Sequence, residues 1–338
     1  MLELASLAEL EPALEERGFF GEDDGVAEVY LGYGLSDRLR RTNEAAPPEP
    51  CPELPRAAVS LQQAVTSSGE GFRIGEWERS WTDAGYAAAI EAVRAAIGRG
   101  DVYQTNLVQH LSAPFEGDPA AVADALAPLR PLQPRPLVGD GWAIVSASPE
   151  LFLARRGRRI WTRPIKGTRP QGEHVEGAKD AAEHTMIVDL ERNDLSRVCV
   201  PGSVRWPELM VERELAGVSH LESTVEGTLH EDVTLTEILE ATFPGGSITG
   251  APKIAAVDLI AKLEPVGRGA SMGALGRIYA NGDFDLALTI RTFAIAAGRL
   301  HLWVGGGIVW DSEPEAEIEE SWVKARPLLA ALEARVPV

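Results

Sequence analysis

Two pairs of acidic residues have the spacing of a metal site. Asp180 precedes Glu183 by three positions, and Glu317 precedes Glu320 by the same interval, with Lys324 one helical turn further on. On a helix, residues three or four apart lie on one face, so each pair presents two carboxylates together. Hard oxygen ligands suit Mg²⁺, which usually takes one or two protein carboxylates and completes its shell with water and substrate oxygens. The alternative is a solvated acidic face, since the last segment contains three further glutamates.

One lysine lies in an unusual setting. Lys166 stands between Ile165 and Gly167 in the stretch RPIKGTRPQG, residues 163–172, whose prolines and glycines predict a loop. A lysine held partly out of water loses proton affinity and can act as a nucleophile. The alternative is an ordinary loop lysine, and this stretch alone does not decide between the two.

Three other side chains have the chemistry of a polar site. Arg291 in LALTIRT lies in an apolar run that predicts a strand, where an arginine is costly unless an anion pairs with it. Glu150 in SASPELF follows a proline at a predicted strand break, and it is either a desolvated general acid or an exposed turn glutamate. His220 in VSHLEST is either a proton donor or a half-buried histidine with satisfied hydrogen bonds.

Two glycine clusters can bring bare backbone close to a ligand. FPGGSITGAPK, residues 243–253, is a glycine-rich turn leading into a predicted helix, whose N–H groups can face an anion. It lacks the lysine and hydroxyl of a phosphate loop, which leaves a nucleotide-binding enzyme as the weaker alternative. VGGGIVWD places Gly305, Gly306 and Gly307 at a predicted strand end, where they mark either a ligand contact or a bulge.

The elements that position these residues alternate along the chain. Periodicity and capping signals predict helices over residues 82–100, 181–198, 233–242 and 251–263, and a last helix from about Glu315 to Arg335. Strands are predicted at 102–115 and at 141–155 with a break at Ser148-Pro149. A strand pair turned at Gly298 is predicted within residues 285–310. This mixture predicts one large α/β or α+β domain.

Charge and cysteine content restrict the partners. The chain has 338 residues and a formal charge of −19, which argues against nucleic acid and anionic membranes. An anionic substrate would therefore need a local cluster of basic residues or a bound cation. Two cysteines, Cys51 and Cys199, form no disulfide framework and indicate a reducing cytoplasm. We find neither a basic leader nor an apolar run of membrane-spanning length.

The order of these blocks carries more information than any one of them. From about residue 80 to 330 the chain resembles the chorismate-utilising enzymes, which include anthranilate synthase component I, aminodeoxychorismate synthase component I, isochorismate synthase and salicylate synthase. The matching blocks are SPELF, PIKGTRPQG, EHTMIVDLERNDLSRVC, HLESTVEGTL, FPGGSITGAPK, LTIRT, GGGIV and DSEPEAEIEESWVKA. The resemblance implies two antiparallel sheets packed face to face with helices outside, and a Mg²⁺-dependent reaction on chorismate.

The resemblance also implies roles for individual residues. Glu183 and Glu320 match the metal ligands, with Asp180 and Glu317 beside them as direct or water-mediated support. A second group is expected to contact the substrate by binding its enolpyruvyl carboxylate, by adding positive charge or by lying beside the ring. This substrate-binding set consists of Arg291, Gly306, Gly307, Lys324, Ser247 and Thr168. His220 is expected near the reacting ring as a catalytic residue. Mg²⁺, arginine and lysine gathered at one site would allow the dianion chorismate to bind to a protein whose formal charge is −19.

Lys166 and Gln104 bear on the choice among family members. A lysine in PIKGT is characteristic of aminodeoxychorismate synthases, which implies that Lys166 attacks C2 of chorismate while Glu150 protonates the departing C4 hydroxyl. Members that add water carry a lysine base where this chain has Gln104, and a glutamine amide cannot act as a base. Anthranilate synthase component I, or another Mg²⁺-dependent chorismate aminase or isochorismate synthase, is the alternative.

Further expectations concern domains and partners. We expect a shortened N-terminal region with a proline-rich linker at residues 1–60 and a catalytic domain at 80–335 that form one structural unit. The resemblance implies a separate glutamine amidotransferase subunit that supplies ammonia, and a downstream aminodeoxychorismate lyase. In anthranilate synthases a longer N-terminal region forms a tryptophan-binding regulatory site, and because this region is shorter here we expect no tryptophan feedback. Ser271 and Arg277 depart from the aromatic residues frequent at these positions in the family, which puts an aromatic contact to the substrate in doubt.

Overall fold

Strands and helices alternate along the part of the chain that the computed structural model describes, residues 1–21, 24–61, 71–170, 178–215 and 218–333. The strands are β1 Leu2–Leu4, β2 Val26–Leu31, β3 Ala57–Ser60, β4 Phe72–Ile74, β5 Glu78–Arg79, β6 Gln104–Gly117, β7 Leu137–Val138, β8 Trp142–Ser146, β9 Leu151–Arg156, β10 Arg159–Arg163, β11 Ile165–Pro170, β12 Arg205–Leu215, β13 Val218–Thr228, β14 Gly250–Ala251, β15 Ala274–Tyr279, β16 Phe284–Leu288, β17 Thr292–Ala296 and β18 Arg299–Ile308. The α-helices are α1 Leu10–Glu15, α2 Asp83–Arg99, α3 Pro119–Leu126, α4 Ala178–Ser196, α5 Leu235–Thr242, α6 Lys253–Leu263 and α7 Pro314–Glu333.

The strands form two antiparallel sheets. The first has the order β1-β3-β2-β15-β16-β9-β10-β13-β11, with β12 paired to β13. The second has the order β14-β6-β18-β17-β8-β7, with β4 and β5 paired to β6. Val29 and Leu153 of the first sheet share one buried cluster with Val108 and Ile144 of the second. The prediction of two sheets packed face to face in one domain is therefore confirmed.

Neighbouring residues of a strand point to opposite faces, which explains how the second sheet is covered on both sides. Ile144 enters the cluster between the sheets, whereas Val145 packs on the other face with Leu126 of α3 and Leu328 of α7. This is the period-two alternation of a strand that is buried on both faces. Helices α3 and α7 therefore lie outside the second sheet, as predicted.

The helix predicted over residues 82–100 is confirmed with both of its caps. The hydroxyl of Thr82 accepts a hydrogen bond of 3.0 Å from the Gly85 N–H. Gly100 ends the helix at φ 80°, a left-handed conformation that glycine adopts without steric cost. The buried face of α2 contains Tyr86, Ile90 and Val93, so capping and periodicity together set this element.

The strand pair predicted within residues 285–310 is wrong in its first half. The segment forms three strands, and β16 belongs to the first sheet while β17 and β18 belong to the second. The chain changes sheets between Leu288 and Thr292, so Arg291 lies in the crossover and not within a strand. Its φ of 50° is incompatible with an extended strand, and hydropathy carries no signal for such a change.

The loop predicted around Lys166 is also wrong. Lys166 lies on β11, opposite Leu221 of β13, and the register shifts between Lys166 and Thr168. Gly167, whose φ is 62°, is the residue at this register shift. Because β11 ends its sheet, it tolerates the prolines that suggested a loop.

The N-terminal segment contributes to the first sheet through β1, β2 and β3. Its proline-rich stretch packs against the chain near residue 268, where the Pro48 carbonyl accepts from the Gly267 N–H and the Glu49 carboxylate accepts from the Gly269 N–H. None of the helices in the described ranges is long and apolar enough to cross a membrane.

Candidate active site

A cavity opens where both sheets meet α4 and α7. Its walls come from β11 and β13 of the first sheet, from β6 and β18 of the second, and from the loops around Glu150, Ser247 and Arg291. Most of the predicted site residues line it, namely Glu150, Lys166, Glu183, His220, Ser247, Arg291, Gly306, Gly307, Glu317, Glu320 and Lys324. The side chains of two others, Thr168 and Asp180, lie outside the described part of the structure. Residues from widely separated blocks are thus brought to one place.

Glu150 is a desolvated carboxyl at the base of this cavity. Glu150 lies in the break between β8 and β9, which was predicted from Ser148-Pro149, and it is 4% exposed. Burial raises the pKa of Glu150, while a hydrogen bond from Ser247 and the nearby Lys166 ammonium act in the opposite direction. The Ser247 hydroxyl donates to Oε1 at 2.6 Å. A carboxyl with a raised pKa retains its proton more readily, which suits a general acid.

Lys166 reaches the same serine from the other side. Its Nζ donates to the backbone carbonyl of Ser247 across 3.5 Å, and the residue is half-buried. The glycine-rich turn therefore holds an acid with its side chain and an amine with its backbone. An amine and an acid that face one cavity are the two groups needed for nucleophilic substitution with a poor leaving group.

Arg291 brings positive charge to the cavity from the crossover between the sheets. Burial lowers the pKa of Arg291, and the neighbouring Glu150 carboxyl opposes that shift. Its carbonyl accepts a 2.9 Å hydrogen bond from the Ala147 N–H, which helps to hold the left-handed backbone. Non-glycine residues in this conformation are strained and cluster at ligand-binding sites, so the geometry suits an anion-binding arginine.

The backbone of Gly306 lies in a cradle of charged groups. A Cβ built on Gly306 would stand 3.2 Å from Oε1 of Glu320, 3.3 Å from Nζ of Lys324 and 3.6 Å from Oε2 of Glu317. Lys324 also donates to Glu320 at 2.7 Å and to the Gly305 carbonyl at 2.8 Å. Two carboxylates and an ammonium thus meet over bare backbone, and any side chain at Gly306 would fill that space.

These carboxylates fit a cation that takes few protein ligands. Within the described ranges no three side chains of histidine, cysteine, aspartate or glutamate are grouped closely enough to enclose a metal ion. Mg²⁺ does not require such a cage, because it usually keeps several waters and binds one or two carboxylates together with substrate oxygens. Glu317 and Glu320 in the Gly306 cradle, with Glu183 on another wall of the cavity, meet that requirement.

His220 lies on β13 and is 1% exposed. Burial lowers the pKa of His220 to about 4, with Arg291 and Lys324 adding to the shift and the backbone of Gly167 opposing it. The imidazole is therefore neutral near pH 7. It can orient a ligand through hydrogen bonds, but it does not carry the proton of an imidazolium.

Sequence reasoning missed several residues of the cavity wall, among them Asn106, Ile165, Met272 and Trp303. The Oδ1 atom of Asn106 is buried and has no hydrogen-bond partner within the described chain, which leaves an acceptor at the cavity. Asn106 lies on β6 among several other polar residues, so no sequence signal set it apart. Met272 has φ 61° and carried no sequence signal.

Comparison with known proteins identifies relatives over most of the chain. The model of the family described as chorismate binding enzyme matches residues 32–330. Anthranilate synthase component 1 of Thermus thermophilus is 43% identical over 281 residues, covering 78% of this chain and 60% of that protein. Aminodeoxychorismate synthase component 1 of Salmonella typhimurium is 42% identical over 289 residues, covering 81% and 63%. The chain thus spans about three fifths of the length of these curated relatives.

The fold has solved counterparts as well. The crystal structure of anthranilate synthase component I from Streptococcus pneumoniae superposes with a TM-score of 0.79 at 25% identity, covering 90% of this chain and 81% of that one.

Proposed function

This chain belongs to the family of chorismate-binding enzymes, and we propose that it is an aminodeoxychorismate synthase component I. It would convert chorismate and ammonia to 4-amino-4-deoxychorismate through a covalent intermediate on Lys166. The observation that carries this proposal is the shared contact at Ser247, which holds the Lys166 amine and the Glu150 carboxyl beside one cavity.

The proposed reaction has two substitutions. The amine of Lys166 forms a bond to C2 of chorismate, the two ring double bonds shift, and the C–O bond at C4 breaks. Glu150 gives its proton to the departing hydroxyl, which leaves as water. Ammonia then bonds to C4, the double bonds shift back, and the C2–N bond to Lys166 breaks as the amine regains its electron pair. The ammonium formed at C4 returns a proton to the Glu150 carboxylate. The enolpyruvyl group is retained throughout.

The remaining residues would hold the substrate. Arg291 and the backbone at Gly306 and Gly307 would bind one carboxylate, and Lys324 would add positive charge. Glu183, Glu317 and Glu320 would hold Mg²⁺, which would supply charge to bind the ring carboxylate and to favour departure of the hydroxyl. His220 would orient the substrate as a neutral imidazole.

Ammonia would come from a separate glutamine amidotransferase subunit. Glutaminase chemistry needs a reactive thiolate, and burial raises the pKa of both Cys51 and Cys199, the latter to about 11. Neither thiol is suited to that role. A downstream aminodeoxychorismate lyase would consume the product, in a cytoplasmic pathway.

Anthranilate synthase is the second candidate because relatives of both names match at nearly the same identity, 43% and 42%. The two activities differ in product. An aminodeoxychorismate synthase leaves the enolpyruvyl group in place, whereas an anthranilate synthase releases pyruvate and an aromatic amine.

The test is to incubate purified protein with chorismate, Mg²⁺ and ammonium and to identify the product by chromatography and mass. An amino-chorismate that retains its enolpyruvyl group is expected, and anthranilate with pyruvate would exclude the proposal. Without ammonium, intact-protein mass should show an adduct of chorismate minus water. Lys166→Ala should lose the adduct, and Lys262→Ala, at an exposed lysine of α6, should keep it.

A further inference from the structure

A buried ion pair lies behind the cavity wall and is not in contact with the cavity itself. Arg268 is 1% exposed, and its Nε and Nη2 donate to the two carboxylate oxygens of Glu264 at 2.9 and 2.7 Å. The guanidinium lies over the ring of Tyr33 at 4.6 Å, and Glu264 also accepts from the Val108 N–H at 3.0 Å. The charges are thus fully enclosed and held by directed contacts.

The same guanidinium joins two walls of the cavity. Nη2 donates to the carbonyl of Asn106 on β6, and Nη1 donates to the carbonyl of Ile248 in the glycine-rich turn, both at 2.9 Å. Asn106 and Ile248 both line the cavity. A third bond, from the Asn106 N–H to the Thr249 carbonyl at 2.7 Å, closes the connection between strand and turn.

The turn that Arg268 holds is the one that contacts the reacting groups. Ile248 directly follows Ser247, whose hydroxyl bonds Glu150 and whose carbonyl accepts from Lys166. A shift of the turn by a fraction of an ångström would change both contacts at once. Only an arginine offers donors in a rigid planar fork that can satisfy a carboxylate and two carbonyls simultaneously.

Stability alone is a weak reason for this pair. Removing two charges from water carries a large desolvation penalty for each ion, and replacing a buried pair by apolar residues of similar volume is often neutral or stabilising. The geometry points instead to a role in placing the turn.

We propose that Arg268, together with Glu264, is a positioning residue that sets the distance between β6 and Ser247 and so aligns Glu150 and Lys166 with the substrate. This inference deepens the proposed function and rests on the roles assigned there to Glu150 and Lys166. It predicts that disturbing Arg268 reproduces the kinetic effect of losing the Ser247 contact, although Arg268 touches no substrate.

The test uses Arg268→Lys, which keeps a charge beside Glu264 but cannot reach both carbonyls. The rate of chorismate consumption with ammonium and Mg²⁺ should show kcat reduced about tenfold or more, with KM for chorismate little changed. Three charged or titratable groups face Glu150: Lys166 on β11, Glu191 on α4, and Arg291 in the crossover between the sheets. The Arg268→Lys substitution changes none of them. The hydrogen bond from Ser247 lowers the pKa of Glu150, so its loss should move the alkaline limb of kcat to higher pH.

A double variant and a control make the result specific. Adding Ser247→Ala to Arg268→Lys should cost less than the sum of the two single changes, because both affect the Ser247–Glu150 contact. Arg159→Lys alters a guanidinium that also binds a buried carboxylate, Glu226, but does so away from the cavity, and it should leave kcat and the pH profile unchanged.

The outcomes separate this inference from the proposed function. A stable Arg268→Lys enzyme with normal kcat and pH profile, or full additivity with Ser247→Ala, would overturn it whichever product is formed. If Arg268→Lys does not fold, Arg268→Met with Glu264→Leu removes both charges together, and normal kinetics in that folded protein would overturn it equally. Because chorismate consumption is measured without reference to the product, the product assay can fail while this result stands.

Discussion

The hydroxyl of Ser247 donates a 2.6 Å hydrogen bond to the buried carboxyl of Glu150 across 97 positions of sequence. The backbone carbonyl of the same serine accepts a hydrogen bond from the Lys166 ammonium. One residue of a glycine-rich turn therefore touches both groups assigned to the substitution chemistry, and this makes it the most informative position for testing the mechanism.

Ser247→Ala should raise the pKa of Glu150 further, because the hydrogen bond that opposes the effect of burial is removed. A general acid works while it is protonated, and activity is lost as pH rises through its pKa, so the alkaline limb should move to higher pH. We expect kcat to fall about tenfold, in line with loss of one hydrogen bond to a reacting group. Steady-state kinetics across pH would measure both, and an unchanged limb would remove Glu150 from the role of acid. Ser196→Ala, on the exposed end of α4, is the control.

Gly306→Ala should disturb the charged cradle without straining the backbone. The added methyl would stand 3.2 Å from Glu320 and 3.3 Å from Lys324, so both side chains must shift. We expect KM for chorismate to rise at least about tenfold, since misplacement of binding groups is costly. In Gly34→Ala the new methyl meets nothing within 4 Å, and kinetics should stay at wild-type values. Equal behaviour of the two variants would contradict the placement of substrate at Gly306.

Removing Mg²⁺ with a chelator should abolish chorismate consumption, and adding it back should restore the rate. Glu317→Gln and Glu320→Gln should each raise the Mg²⁺ concentration for half-maximal rate by about tenfold or more, because a neutral amide is a poorer ligand for a hard cation. Glu319 lies on the same helix but pairs with Arg326, so Glu319→Gln should leave the Mg²⁺ concentration for half-maximal rate unchanged. The check is to measure the rate of chorismate consumption at increasing Mg²⁺ concentration, and to measure Mg²⁺ binding to each variant by calorimetry.

Buried histidines should weaken the fold in acid. Burial is the largest cause that lowers the pKa of His301 to about 4, with Arg299 adding to it. Burial likewise lowers the pKa of His110, stacked beside it, to about 3. The ordinary value is about 6.5. Between pH 6.5 and about 4 the unfolded chain therefore binds protons that the folded chain does not, so this part of the free energy of unfolding is lost as pH falls.

Replacing His301 with glutamine removes one of these protons, so the variant should gain stability relative to the parent protein as pH falls from 6.5 to 4. Urea unfolding at several pH values would measure the difference. His230→Gln, which changes an exposed histidine outside this stacked pair, is the matched control for loss of an imidazole. A constant difference for His301→Gln would show that its imidazole binds protons equally in the folded and unfolded chain, which would contradict the prediction.

Much of the site was accessible from the sequence because its blocks are short and carry their chemistry locally. The SPELF, PIKGT and LTIRT stretches each contributed one side chain, Glu150, Lys166 and Arg291, and all three line the cavity. Helix α2 was predicted with both of its ends because capping at Thr82 and Gly100 depends on neighbouring residues alone.

The errors share a physical cause. The strand pairing of Lys166 with Leu221 and the change of sheet at Arg291 depend on contacts with distant parts of the chain. Glu264 and Arg268 looked like an ordinary pair of opposite charges four residues apart, and neither was singled out. Burial under Tyr33, and a bond that reaches 162 positions back to Asn106, give the pair its significance.

By itself, the sequence determined the family, the alternation of strands and helices, and most of the residue types that the cavity requires, because composition, periodicity and block order are properties of the chain. The tertiary structure alone decided that Ser247 meets both Glu150 and Lys166, that Gly306 lies among Glu317, Glu320 and Lys324, and that Arg268 joins two walls. Burial, and the pKa changes it causes, arise only when segments far apart in sequence exclude water from one another.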